Sequence, residues 1–217
     1  ASLGFAVVAP EIRSLPQAVY TSFEKAWKGE VSADNLTAYY FNTNALDRAE
    51  DSAVECARRA PLFQLISDAY ATAHATQLLP FVDKGCLMTW GEGLGGALAL
   101  DTAALLGSQC AGVIAQNPFF ADSEACVTDG FCSAQETPKN VRIANAMGLL
   151  DTASFAERIT CPTLMACSLE DRSSLPEGTF AAYNRIPAEQ KRMAVYPRHA
   201  HERINDFENL QIDVFRR

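Results

Sequence analysis

Short apolar runs alternate with longer stretches of helical periodicity along this chain. Such a rhythm is typical of strand–helix units that build a largely parallel sheet. The apolar runs predict strands at residues 4–9, 86–90, 112–116, 163–168 and 192–196. Apolar positions three and four apart predict helices after Pro16 and Pro61, and at residues 97–106, 175–184 and 206–215. The pattern therefore predicts an α/β fold with a mostly parallel sheet.

Residues 30–60 interrupt this rhythm, because their sequence is polar and shows neither period. We interpret this stretch as an insertion or surface excursion. No internal repeat divides the chain, so the sequence predicts a single domain over residues 1–217.

Composition and charge exclude several classes of function. The chain is 48% apolar and 20% charged, which is typical of a globular protein. A formal net charge of -8 without any basic run argues against a nucleic-acid partner. Charges or prolines interrupt every apolar stretch well short of the roughly 18 residues that a membrane span needs. We therefore expect neither nucleic-acid binding nor a membrane span.

The seven cysteines are an odd number, and several lie in or beside apolar runs as small hydrophobic residues do. This pattern favours a reducing compartment, the cytoplasm or an organelle interior. Cys126 and Cys132 are close enough in sequence to close a loop as a disulfide. No cysteine pair has the CxxC spacing of a zinc site, and the sequence predicts no metal site and no cofactor.

A glycine-rich turn connects the predicted strand at residues 86–90 to the helix that follows. Strand, turn and helix in direct succession match a nucleophile elbow, G-x-S-x-G, whose sharp turn exposes a serine at a helix N-terminus. Here the five residues are Gly91-Glu92-Gly93-Leu94-Gly95, so glycine stands at the nucleophile position.

The same turn also supplies G-x-G-x-x-G through Gly91, Gly93 and Gly96, which is the spacing of a dinucleotide-binding loop. That alternative requires an acidic residue about 20 residues further on to bind the ribose. Residues 110–116 contain none.

Several segments after the turn resemble, in order and spacing, the acetyl xylan esterase and cephalosporin deacetylase family of α/β-hydrolases. They are Gly95-Gly96-Ala97-Leu98-Ala99-Leu100, Asn117-Pro118-Phe119-Phe120, Ser168-Leu169-Glu170-Asp171, Thr179-Phe180-Ala181-Ala182-Tyr183-Asn184, Tyr196-Pro197 and His201-Glu202. Residues 4–13 are similar to the family's strand and D-x-R turn, with Glu11 in place of the aspartate. Dienelactone hydrolases share the glycine-rich elbow but match the later segments less well.

The resemblance implies a three-layer α/β-hydrolase fold and a serine-type site. Nucleophile, acid and histidine follow one another in this fold, and the matching positions are Gly93, Asp171 and His201. In a working site the histidine takes the serine proton, the aspartate orients the imidazole, and the amide of Leu94 donates to the oxyanion. Gly93 can perform no covalent step.

The family's second oxyanion donor comes from a loop that would precede Gly4, and its strand lies between those expected at residues 4–9 and 86–90. A central strand cannot be absent from a parallel sheet, because its neighbours would be left with unpaired backbone groups. We therefore expect the N-terminal strands to come from residues outside this chain or from another chain.

Two functions from different classes fit these observations. The first is a catalytically inactive hydrolase fold that acts as a structural or binding subunit, with a protein partner or as an oligomer. The second is an active carboxylesterase that deacetylates sugars or small acetyl esters, in which Gly93 is a replacement for serine.

Overall fold

The computed structural model of the protein describes residues 5–10, 52–122 and 138–215. Four parallel strands form its sheet in the order β1-β2-β3-β4. They are β1 (Met88–Glu92), β2 (Gly112–Gln116), β3 (Thr163–Ser168) and β4 (Lys191–Tyr196). Because all four run in the same direction, their carboxyl ends meet at one edge of the sheet.

Helices precede, connect and follow the strands. They are α1 (Ala53–Arg59), α2 (Pro61–Gln77), α3 (Leu94–Leu106), α4 (Pro138–Leu149), α5 (Thr152–Ala156), α6 (Pro176–Arg185) and α7 (Asn205–Phe215). Helix α3 connects β1 to β2, α4 and α5 lie between β2 and β3, and α6 connects β3 to β4. These crossovers allow consecutive strands to pair in parallel. None of the described helices is long and apolar enough to cross a membrane.

The central strands β2 and β3 are buried on both faces, and alternate residues of β2 enter different clusters. Val113 and Ala115 pack with residues of α3, α5 and α6, whereas Ile114 packs with Ile204 and with Phe207 of α7. Side chains of successive strand residues point to opposite faces, so both faces need a helical cover. The predicted three-layer α/β architecture is confirmed.

The strand prediction for residues 4–9 is wrong for the part that the structure describes. Residues 5–10 have no regular secondary structure and are exposed. An apolar run becomes a strand only when a neighbouring strand pairs with its backbone, and the described residues provide none here. The helix predicted after Pro16, and Cys126 with Cys132, lie outside the described residues.

The predicted excursion at residues 30–60 contains an ordered helix in its described part. Ser52 and Glu55 form a reciprocal capping box at the start of α1, with Ser52 N–H donating to Glu55 Oε2 at 2.8 Å. Cys56 on this helix is fully buried and packs in a cluster with residues of α2 and α4. The S-x-x-E pattern of Ser52 and Glu55 is a sequence signal that could have predicted this helix.

The other predicted strands and helices agree closely with the observed positions, and the strands at residues 112–116 and 163–168 match residue for residue, but helices α4 and α5 were not predicted from the sequence. The strand predicted at residues 86–90 lies two residues later. It is displaced because a 3₁₀ turn occupies Lys84–Cys86, where the Asp83 carboxylate accepts a hydrogen bond from Gly85 N–H at 2.9 Å.

Candidate functional site

The turn from β1 into α3 has the strained backbone of an elbow. Gly93 has φ 54° and ψ -122°, a region that residues with a side chain rarely adopt. Its N–H donates to the Gln116 carbonyl at 2.9 Å, and its carbonyl accepts from Ala97 N–H at 3.1 Å and from Phe119 N–H at 3.0 Å. Three main-chain hydrogen bonds thus hold Gly93 in this conformation.

The neighbouring glycines are required by close packing of helix against strand. A Cβ atom on Gly91 would lie 2.1 Å from the Gly95 carbonyl oxygen, and one on Gly96 would lie 2.8 Å from the Gln116 carbonyl oxygen. The backbone contacts of the elbow therefore account for the G-x-G-x-x-G spacing without a dinucleotide.

Asp171 lies in the turn that follows β3. Its Oδ1 accepts hydrogen bonds from the main-chain N–H groups of Ser173 and Ser174, both at 2.8 Å. Its Oδ2 lies 2.7 Å from His201 Nδ1. Because the turn amides hold one oxygen of this buried carboxylate, the other is directed at the imidazole.

His201 lies in the irregular loop between β4 and α7, and its side chain is 27% exposed. A Cβ atom built on Gly93 would lie 3.2 Å from both Nε2 and Cε1 of this imidazole. With Nδ1–H donating to Asp171, a neutral ring carries its lone pair on Nε2. The structure thus brings positions 93, 171 and 201 together, with the acceptor nitrogen facing the elbow.

Leu94 is the first residue of α3 and directly follows Gly93. The first N–H groups of a helix have no acceptor within the helix, and they carry the positive end of its dipole. The amide of Leu94 therefore lies where the resemblance predicts an oxyanion donor. Glu92, on the other side of Gly93, is exposed.

Polar residues that we did not predict connect the ends of the strands. Gln116, the last residue of β2, donates from Nε2 to the Glu202 carbonyl at 2.8 Å. Asn117 follows it and pairs with Ser168 of β3, donating from Nδ2 to Oγ at 3.0 Å and accepting from the Ser168 N–H at 2.8 Å. Their sequence signal is a polar residue at the end of an apolar run, since sites in parallel sheets lie at the carboxyl ends of strands.

Comparisons with known proteins agree with this geometry. Residues 54–217 match the model of the acetyl xylan esterase (AXE1) family. Acetyl xylan esterase 1 from Thermoanaerobacterium sp. JW/SL YS485 is 27% identical with a TM-score of 0.67, over 78% of this chain and 55% of that one. An acetyl xylan esterase from Paenibacillus sp. R4 is 22% identical with a TM-score of 0.66, over 78% of this chain and 60% of that one.

A more distant similarity shows the fold alone. Est1E from Butyrivibrio proteoclasticus is 16% identical with a TM-score of 0.56, over 71% of this chain and 68% of that one. The predicted α/β-hydrolase fold is confirmed, although this chain spans only 55% and 60% of the two acetyl xylan esterases. Since the family model matches well over half of its residues, this chain belongs to the acetyl xylan esterase family.

Proposed function

We propose that this chain is a catalytically inactive member of its family that acts as a structural or binding subunit. The observation that carries this proposal is Gly93, which stands at the elbow position faced by the His201 imidazole. Glycine has no atom that could attack an ester carbonyl, so no acyl intermediate can form there.

The missing nucleophile should have a large effect on the reaction rate. In a serine hydrolase the imidazole takes the hydroxyl proton while the oxygen attacks the carbonyl carbon, and the oxyanion accepts hydrogen bonds from backbone amides. Removal of the nucleophile from such a triad lowers kcat by a factor on the order of 10⁶. The pair formed by Asp171 and His201 would therefore have no hydroxyl to activate.

A second candidate is a carboxylesterase of acetylated sugars or small esters, in which glycine has replaced the serine. It is favoured by the 2.7 Å contact between Asp171 and His201, and by the elbow backbone of Gly93. Both features would serve catalysis if a hydroxyl were restored.

Hydrolysis of p-nitrophenyl acetate tests the inactive state of the unaltered chain, and its gain in Gly93→Ser tests the second candidate. We expect no hydrolysis above that of His201→Ala. We expect Gly93→Ser to produce hydrolysis, because the new Cβ would lie 3.2 Å from Nε2 and the half-buried imidazole needs to move only slightly. That gain should disappear when His201→Ala is added.

Gly95→Ser is the matched control, because it introduces the same side chain two residues away. A Cβ there meets nothing within 4 Å, so the variant should fold normally and remain inactive. Hydrolysis by the unaltered chain that His201→Ala abolishes would show that the proposal of an inactive chain is wrong.

A further inference from the structure

Gln116 touches both halves of the site through different atoms. Its main-chain carbonyl accepts the hydrogen bond from Gly93 N–H at 2.9 Å. Its side-chain Nε2 donates to the carbonyl of Glu202, which directly follows His201, at 2.8 Å. One residue at the end of β2 thus connects the elbow to the histidine loop across 86 positions of sequence.

The histidine loop needs such a connection because its own structure is irregular. Between the end of β4 and the start of α7 the backbone forms no helix or strand, and Arg198, Glu202 and Arg203 are exposed. Glu170 N–H also donates to the His199 carbonyl at 3.0 Å, on the side of β4. The Gln116 amide contacts the loop on the other side of His201.

The acid half of the site is held separately. Asn117 pairs with Ser168, and the Ser168 carbonyl accepts from Asp171 N–H at 3.3 Å. Two consecutive residues at the end of β2 therefore contact different halves of the site. Asn117 binds the segment that carries Asp171, and Gln116 binds the loop that carries His201.

Burial restricts the orientation of the Gln116 side chain. The residue is 3% exposed, and the rest of β2 is buried with it. A buried amide is costly unless it makes hydrogen bonds, so few orientations of this side chain are available. The Glu202 carbonyl is therefore held at a defined place relative to the elbow.

We propose that Gln116 is a positioning residue that fixes the His201 imidazole against the elbow and in line with Asp171. It acts on the loop backbone and touches no reacting atom. This positioning role can be tested without turnover, because the His201 imidazole is present in the unaltered chain with Gly93.

The tautomer of His201 tests this role in the unaltered chain. The ¹⁵N shifts of an imidazole distinguish a proton on Nδ1 from one on Nε2, and the chain has only three histidines to assign. We expect the neutral ring of His201 to carry its proton on Nδ1. In Gln116→Met we expect the tautomer population to move toward the mixture of Nδ1–H and Nε2–H forms found in an unrestrained imidazole. Methionine keeps the length of the side chain and removes the donor.

Gln211→Met is the matched control. Gln211 is also buried, lies on α7, and its Nε2 has no hydrogen-bond partner among the described residues. The control should leave the His201 tautomer unchanged. An unchanged tautomer in folded Gln116→Met would overturn the proposal, as would an equal change in Gln211→Met. If Gln116→Met fails to fold, Gln116→Asn draws the amide back by one methylene and should give the same shift.

A second measurement uses the Gly93→Ser background. If that variant hydrolyses p-nitrophenyl acetate, adding Gln116→Met should lower kcat between about tenfold and about a hundredfold with KM nearly unchanged, because a displaced base impairs the reaction rather than binding. A rise in KM at constant kcat would contradict the positioning role. Failure of Gly93→Ser to hydrolyse the ester bears on the proposed function alone, because the tautomer measurement needs no turnover.

Discussion

At the scale of single residues, the structure places the Asp171–His201 pair against a position that is occupied by glycine, Gly93. Strain at an elbow is tolerated in enzymes because it exposes a side chain. At Gly93 the same φ and ψ remain, although there is no side chain to expose. The hydrogen bond that Gly93 N–H donates to the Gln116 carbonyl and the one that the Gly93 carbonyl accepts from Phe119 N–H account for this, because they require the elbow backbone whatever residue occupies it.

Asp101 carries a prediction about stability at the same scale. This residue of α3 is 1% exposed, and neither carboxylate oxygen has a hydrogen-bond partner among the described residues. Burial raises the pKa of Asp101 well above its usual range, the nearby Thr152 hydroxyl lowers it in part, and the charge of Asp151 raises it. An unpaired carboxylate in this place is a cost to the folded state.

The sign of the pH dependence follows from the raised pKa. The folded protein holds the Asp101 proton to higher pH than the unfolded chain, where the pKa is about 3.9. Stability therefore falls as pH rises above the unfolded value. Asp101→Asn should increase the free energy of unfolding at pH 7 by about 1–3 kcal/mol, and the gain should shrink toward pH 4.

Urea denaturation at the two pH values measures this difference. Asp213→Asn on the exposed side of α7 is the control, and its effect should stay within about 0.5 kcal/mol. A gain for Asp101→Asn that is equal at pH 4 and pH 7 would contradict the assignment of the cost to ionisation.

At the scale of elements, close backbone contacts constrain the junction between β1 and α3. Gly91→Ala should destabilise the protein by about 1–3 kcal/mol or more, because its Cβ would lie 2.1 Å from a backbone oxygen that cannot move independently. Gly95→Ala, in open space on the same turn, should be neutral or slightly stabilising. Thermal unfolding of the two variants makes the comparison, and equal losses would show that the contact at Gly91 is not the cause.

Strand prediction succeeded where a strand is buried on both faces. All residues of β2 and β3 are buried, and their apolar runs, bounded by polar residues, located them correctly. Residues 4–9 have an equally apolar pattern, but the described part forms no strand. Composition measures the tendency to be buried, whereas a strand also requires a partner whose position depends on the rest of the chain.

At the scale of the whole molecule, we expect solvent exposure, rather than pKa, to decide how fast each cysteine thiol reacts. A hydrogen bond with the Cys161 thiol lowers the pKa of Cys110 to about 7. The side chain of Cys110, however, is only 4% exposed. Cys86 is exposed, and a hydrogen bond to the Asp83 carboxylate raises the pKa of Cys86. Thiolates react faster than thiols, so pKa and exposure make opposite predictions for these two residues.

We expect Cys86 to be alkylated by iodoacetamide much faster than Cys110, because a buried thiol reacts only when the structure opens. Peptide mass mapping over a time course separates the two sites. Adding urea below the unfolding midpoint should accelerate Cys110 far more than Cys86. Rapid labelling of Cys110 in native buffer would show that this part of the core opens locally.

By itself the sequence determined the α/β rhythm, most strand and helix positions, and the glycine at position 93, whereas the acid and base roles of Asp171 and His201 stay predictions from the resemblance. The features that it determined follow from local patterns and from motifs whose residues are close together. Tertiary structure alone decided that Asp171 and His201 meet at 2.7 Å, and that Gln116 reaches the loop beside His201. Such contacts join residues far apart in sequence, and only the order of parallel strands brings their carboxyl ends to the same edge of the sheet.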